Sequence, residues 1–118
     1  MIELEGKHIY LACGQTDLRK SINGLTVLVQ TGFALDPLTG AYFVFCNKAR
    51  NRLKILEWDG DGFWLHMKRL ERGHFRWPEV SGDEKTMMLT DDELAHLLGN
   101  PGLEQKLRRQ KISERIAV

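Results

Sequence analysis

The stretch Tyr42–Pro78 limits most severely what this chain can fold into. From Phe43 it reads FVFCNKARNRLKILEWDGDGFWLHMKRLERGHFRWP, a series of short apolar runs separated by turn residues and clustered cations. No run is long enough for a stable helix, and aromatic and β-branched residues favour the pleated surface of a sheet. Of the chain's ten aromatic residues, eight lie here: Tyr42, Phe43, Phe45, Trp58, Phe63, Trp64, Phe75 and Trp77. Eight of its seventeen basic residues do too: Lys48, Arg50, Arg52, Lys54, Lys68, Arg69, Arg72 and Arg76. A sheet that also presents clustered cations needs a polyanion, an acidic protein or water opposite them. Nucleic acid is the first partner this implies.

The net charge of +1 hides an asymmetry. Residues 1–46 carry three basic and four acidic groups, 47–77 carry eight and four, and 78–118 carry six and eight, so the middle third holds the positive excess. At 118 residues the chain suits one domain, expected here as 1–118, with a sheet core over about 7–78 and helices over about 91–116. No apolar run approaches the ~18 residues of a membrane span, and the acids at Glu3 and Glu5 argue against a secretory leader. Cys13 and Cys46 have no metal or redox spacing and read as thiols in a reducing cytosol, which places the chain in the cytoplasm.

The expected fold class is α+β: a curved antiparallel sheet of four to five strands, one N-terminal helix and a C-terminal helical pair. His8–Ala12 reads as a strand. Thr16 then caps a helix over about 17–30, with Leu18, Ile22, Leu25, Val29 and Phe33 at helical spacing. Strands 41–46 and 53–58 flank the loop Asn47–Arg52, and Gly60-Asp61 makes a two-residue turn. A three-residue loop Glu71-Arg72-Gly73 then closes a final hairpin, pairing Lys68 with Arg76 and Met67 with Trp77. Alternation sorts Phe43, Phe45, Leu56, Trp58, Phe63, Leu65, Met67, Phe75 and Trp77 onto a core face. Tyr42, Val44, Cys46, Leu53 and Ile55 fall on the other, beneath the first helix, with Trp64, His66, Lys68, His74 and Arg76 at its wet end. Trp58 and Trp77 are then largely buried, and His66, Lys68 and Arg76 at least half exposed. Thr90-Asp91-Asp92-Glu93 is a capping box that opens a helix ending at Gly99-Asn100-Pro101. A second helix over 102–116 follows.

The candidate nucleic-acid contacts are Lys48, Arg50, Arg52, Lys54, Lys68, Arg69, Arg72, His74 and Arg76. Opposed cations such as Lys68 and Arg76 cost a sheet up to about 1 kcal/mol unless an anion lies between them. The loop Asn47–Arg52 offers cations and amides suited to phosphate. Gly14–Lys20 reads as a strand-to-helix turn, with Asp17 in an ion pair or cap, rather than an anion cradle. It lacks the length and ending of a phosphate-binding loop. Asp59 and Asp61 read as turn residues and not as a metal pair. His8, His66, His74 and His96 lack ligand spacing, and no serine or cysteine has a nucleophile's context. No metal, cofactor or catalytic residue is expected.

Six motifs occur in order: Gly14-x-x-Asp17-x-Arg19-Lys20, Leu35-Asp36-Pro37-x-x-Gly40, Phe43-Val44-Phe45, Asn51-Arg52-Leu53-Lys54-Ile55-Leu56, Trp58-Asp59-Gly60-x-Gly62 and Lys68-Arg69-Leu70-Glu71-x-Gly73-x-Phe75-x-Trp77-Pro78. Over residues 8–98 the chain resembles the small accessory protein of insertion-sequence-66 transposons, the second-open-reading-frame type. The resemblance implies a cytoplasmic bacterial protein acting beside a larger transposase, to which the catalytic acids of that system belong. Beside the DNA that the charge pattern suggests, the partners to expect are the transposase and the element's other accessory protein. Members often have a more arginine-rich hairpin loop, which Ala49 interrupts here. Two functions of different class follow: a non-catalytic factor contacting DNA phosphates, or an adaptor that binds the transposase or its partner without touching DNA.

Overall fold

The computed structural model describes residues 7–79 and 82–99. Five strands form one sheet: β1 (Ile9–Ala12), β2 (Tyr42–Cys46), β3 (Arg52–Trp58), β4 (Phe63–Arg69) and β5 (Thr86–Leu89). Their spatial order is β4-β3-β2-β1-β5. β2, β3 and β4 are a meander of antiparallel hairpins, as their turn chemistry requires. The second turn closes on a bond from the Asp59 amide to the Gly62 carbonyl (3.0 Å), and Gly60 takes the positive φ of 107° that its first central position needs.

The sheet is mixed rather than purely antiparallel. β1 runs parallel to β2, with Ile9 beside Tyr42, while β5 returns antiparallel to β1, with Ile9 beside Leu89. A parallel neighbour demands a crossover, and residues 13–41 supply it with a helix. That helix, α1 (Ile22–Val27), continues into a π-helical turn, Leu28–Gly32, and is shorter than the expected 17–30. Thr16 does not cap it: its amide bonds the Cys46 carbonyl (2.7 Å), and residues 17–20 form a separate turn. The predicted spacing still finds its face, because Leu18, Ile22, Leu25, Val29 and Phe33 all pack into one cluster.

Both faces of the sheet are covered. α1 lies with Phe43, Phe45 and Leu56, not on the Tyr42–Val44–Cys46 face where it was expected. The opposite face, with Tyr42, Val44, Cys46, Leu53 and Ile55, is covered by Phe75, Trp77 and helix α2 (Asp91–Leu97), through Leu94, Leu97 and Leu98. α2 opens with the expected capping box: the Glu93 amide donates to Thr90 Oγ1 (3.1 Å) and the Thr90 amide to Glu93 Oε1 (2.9 Å). The C-terminal partner helix expected over 102–116 lies outside the described residues. Among the described residues, no helix is long and apolar enough to cross a membrane.

The predicted hairpin after Gly73 does not form. Gly73 has the left-handed φ of 72°, but the chain then leaves β4 and crosses beneath the end of the sheet. There the Leu70 amide bonds the Asn51 carbonyl (2.8 Å) and the Phe75 amide bonds the Arg50 carbonyl (2.6 Å). The reason is apolar burial. Phe75 and Trp77 are 2% and 4% exposed on the α2 face, where β4 pairing would have placed them on the other. Lys68 therefore faces Leu53 across the sheet, and Met67 faces Lys54. Met67, expected in the core, is 68% exposed. Trp58 is half-buried, edge-on against Phe63 (4.9 Å between ring centroids).

Candidate functional site

The loop Asn47–Arg52 is braced by hydrogen bonds of its own. The Asn47 carboxamide oxygen accepts from the amides of Asn51 and Arg52 (3.1 Å each), and its nitrogen donates to Asn51 Oδ1 (2.8 Å). Arg50 takes a left-handed φ of 58°, which turns the loop back on itself. Across from this loop stands the turn Gln15–Arg19. The Thr16–Cys46 bond ties the two walls, and the Lys54 ammonium donates to the carbonyls of Leu18 (2.8 Å) and Lys20 (3.0 Å).

Between the walls lies a cleft of about 770 Å³ lined by both segments, with Lys48, Arg52 and Lys54 on one side and Asp17 and Arg19 on the other. Exposed Met67 closes its end. Arg52 and Arg69 are register partners on β3 and β4, so the sheet does pair two cationic residues, at a different pair from the one predicted. Arg69 shares its charge with exposed Glu71 at 3.0 Å, whereas the Arg52 and Lys48 side chains make no ion pair among the described residues. Arg19 is held by Asp17 through Nε (3.0 Å) and Nη2 (2.8 Å), and the guanidinium and amide of Arg19 lower the Asp17 carboxyl to about 2.

The nine candidate contacts thus divide. Lys48, Arg52 and Lys54 share the cleft, and Arg69 adjoins it. Arg50 turns away and donates to the Trp77 carbonyl (3.4 Å), where it fastens the crossing segment. Lys68 donates to the Leu98 carbonyl (3.0 Å) at the end of α2, where a cation complements the helix dipole. His74 and Arg76 lie beside α2, and Arg76 borders a groove with Asp92 and Glu93. Arg72 is exposed in the turn beyond β4. His66, expected on the wet face, is largely covered and stands 3.4 Å from Glu57. The sequence had set the turn Gly14–Lys20 aside as structural. Its proximity to the basic loop depends on the parallel β1–β2 pairing, and Arg19, two positions after Asp17, was the signal available.

The other candidates keep structural roles. The Asp59 carboxylate accepts from the Gly62 amide (3.1 Å) and the Trp64 indole (2.6 Å), and the indole bond holds its carboxyl below the usual range. Among the described residues, no three His, Cys, Asp or Glu side chains stand within reach of one metal ion. Burial pushes the Cys46 thiol up to about 11, which leaves it a poor nucleophile.

The family described as IS66 Orf2 like protein matches residues 7–108, a span that holds every element above. The chain belongs to the IS66 Orf2-like family. Its role is accordingly an accessory one in the transposition of an insertion sequence, in association with the transposition machinery. Two relatives come from Sinorhizobium fredii (strain NBRC 101917 / NGR234). "Uncharacterized protein y4hO" is 37% identical over 90 residues, 76% of each chain. "Uncharacterized protein y4jC" is 41% identical over 75 residues, 64% of each chain. No solved structure matches the chain. The IS66 Orf2-like match spans both walls of the cleft, so the cleft belongs to the family's part of the chain.

Proposed function

We propose that this accessory protein works without catalysis, in the bacterial cytoplasm, by holding DNA phosphates in the cleft between Gln15–Arg19 and Asn47–Lys54. The observation that carries the reading is the meeting of Lys48, Arg52 and Lys54 in one cleft, with Arg69 alongside. Arginine suits phosphate because its planar fork donates two bonds at once, and the clamped loop loses little freedom on binding. Such contacts position a protein on DNA without reading sequence. Lys68, His74, Arg76 and Arg50 fall outside this cleft and are not needed for the contact.

The test is a fluorescence titration of unrelated duplexes at several salt concentrations. Each lost phosphate contact lowers the log–log salt slope by about 0.9. Charge reversal of Lys48, Arg52 and Arg69 to Glu together is expected to lower it by about 2 to 3 and to weaken every duplex alike. Arg76→Glu leaves binding unchanged. Absence of wild-type binding at low salt rules the reading out.

The adaptor reading has one observation in its favour: a groove that mixes apolar Leu89 and Leu97 with Arg76, Asp92, Glu93 and His96. Mixed charge around apolar residues suits a protein partner, the transposase or the second accessory protein, better than a phosphate backbone. Loss of transposase association on Arg76→Glu, with DNA binding intact, would establish it beside the first reading.

A further inference from the structure

The cationic cleft contains one acid, and its placement is specific. Asp17 faces Lys48, Arg52 and Lys54 across the cleft and spends its carboxylate on Arg19, which is otherwise 92% exposed on its side chain. Three groups of Arg19 bond it: the backbone amide to Oδ1 (3.0 Å), Nε to both oxygens (3.0 and 3.2 Å), and Nη2 to Oδ2 (2.8 Å). The turn cannot drift from the cleft, because Lys54 grips the carbonyls of Leu18 and Lys20 and the Thr16 amide grips Cys46. A carboxylate that receives Nε and Nη2 occupies one bidentate edge of the guanidinium, competes with phosphate for it, and offsets its charge.

We propose that Asp17 is a built-in competitor for the cleft: it holds Arg19 out of phosphate binding and keeps the affinity for DNA low. The inference rests on the phosphate-binding reading above. Arg19 becomes a further phosphate contact whenever the carboxylate charge is removed. A weak hold suits an accessory factor that must release DNA to the machinery it serves.

Asp17→Asn separates this role from a structural one. The carboxamide keeps an oxygen to accept from the Arg19 amide, so the turn persists, while the charge that binds the guanidinium is gone. Asp17→Ser, with a shorter acceptor, is a second variant should the first unfold, and the thermal midpoint of each is measured first. The probe is a labelled duplex of unrelated sequence, titrated across a salt series. Asp17→Asn is expected to bind about tenfold more tightly at low salt, with the log–log slope steeper by about 0.9, one added contact. Arg19→Gln in the same background removes that gain. Equal or weaker binding by the folded Asp17→Asn variant overturns the inference, as does a gain that survives Arg19→Gln. These outcomes are distinct from failure of the cleft itself, in which the wild type does not bind and reversal of Lys48, Arg52 and Arg69 changes nothing.

Discussion

Glu57 is a carboxylate sealed inside the sheet, 2% exposed, with its charge answered by the Lys7 ammonium and by His66. Lys7 also stands over the Tyr42 ring, 4.9 Å from its centroid. Burial alone would raise the Glu57 carboxyl, but hydrogen bonds from His66 and Lys7, and then their charges, hold it below its ordinary value of 4.5. A lowered folded-state value means stability that is complete above the unfolded value and lost as pH falls through the folded one. Acid titration of the melting midpoint is therefore expected to show a loss beginning near pH 4.5, and Glu57→Gln to flatten it. At neutral pH that variant gives up a charged hydrogen-bond acceptor and is expected to be about 2 kcal/mol less stable. An unchanged acid limb would mean that Lys7 and His66 do not stabilise the ionised form. At this scale the sequence could place Glu57 on a strand but not name its partners, since Lys7 lies fifty positions away.

Among the elements, the crossing segment Leu70–Pro78 does most to unite the molecule. Trp77 fills the α2 face and donates its indole nitrogen to the Ala12 carbonyl (3.0 Å), which joins the segment to β1. Trp77→Phe keeps the ring but leaves that buried carbonyl without its donor, an expected loss of about 1 to 2 kcal/mol in urea denaturation. Trp77→Ala adds a cavity and is expected to cost about 3 to 5 kcal/mol. A Phe variant as stable as wild type would show the indole bond to be dispensable. At the head of α2, Thr90→Ala removes one half of the capping box, worth about 1 kcal/mol in the same measurement. Element identity was legible wherever local chemistry decided it: the turn at Gly60, the capping box at Thr90, the strands from Tyr42 to Arg69. Parity sorted Tyr42, Val44 and Cys46 from Phe43 and Phe45 correctly. It could not show which face Phe75 and Trp77 join, because both faces are apolar and only the path after Gly73 distinguishes them. β5 escaped notice because Thr86–Leu89 is a four-residue run with no turn partner nearby in sequence.

For the whole molecule, what local pattern could not reveal was the parallel placement of β1. The crossover that it requires puts α1 on the Phe43 face and the Gln15–Arg19 turn against the basic loop. Half of the cleft was thus readable, Lys48, Arg52 and Lys54, and the wall that completes it was not. The same placement governs how the chain assembles. β2, β3 and β4 join through short loops and close at little entropic cost, whereas β1 pairs with strands that begin thirty and more residues later. Native-state hydrogen exchange is expected to find the amides of β2 and β3 released only in global unfolding and those of β5, an edge strand paired with β1 alone, released in a smaller opening. Uniform protection of all five strands would contradict this.

During synthesis β1 is made first and completed last. Ile9, Leu11 and Ala12 are fully buried in the finished sheet, and the second neighbour of that strand is the run Thr86–Leu89. At about 5–20 residues per second, a ribosome takes roughly 4 to 15 seconds to go from one to the other. Throughout that interval the strand that unites the two ends of the fold has at least one edge open, and the growing chain is most vulnerable there to pairing with a stranger.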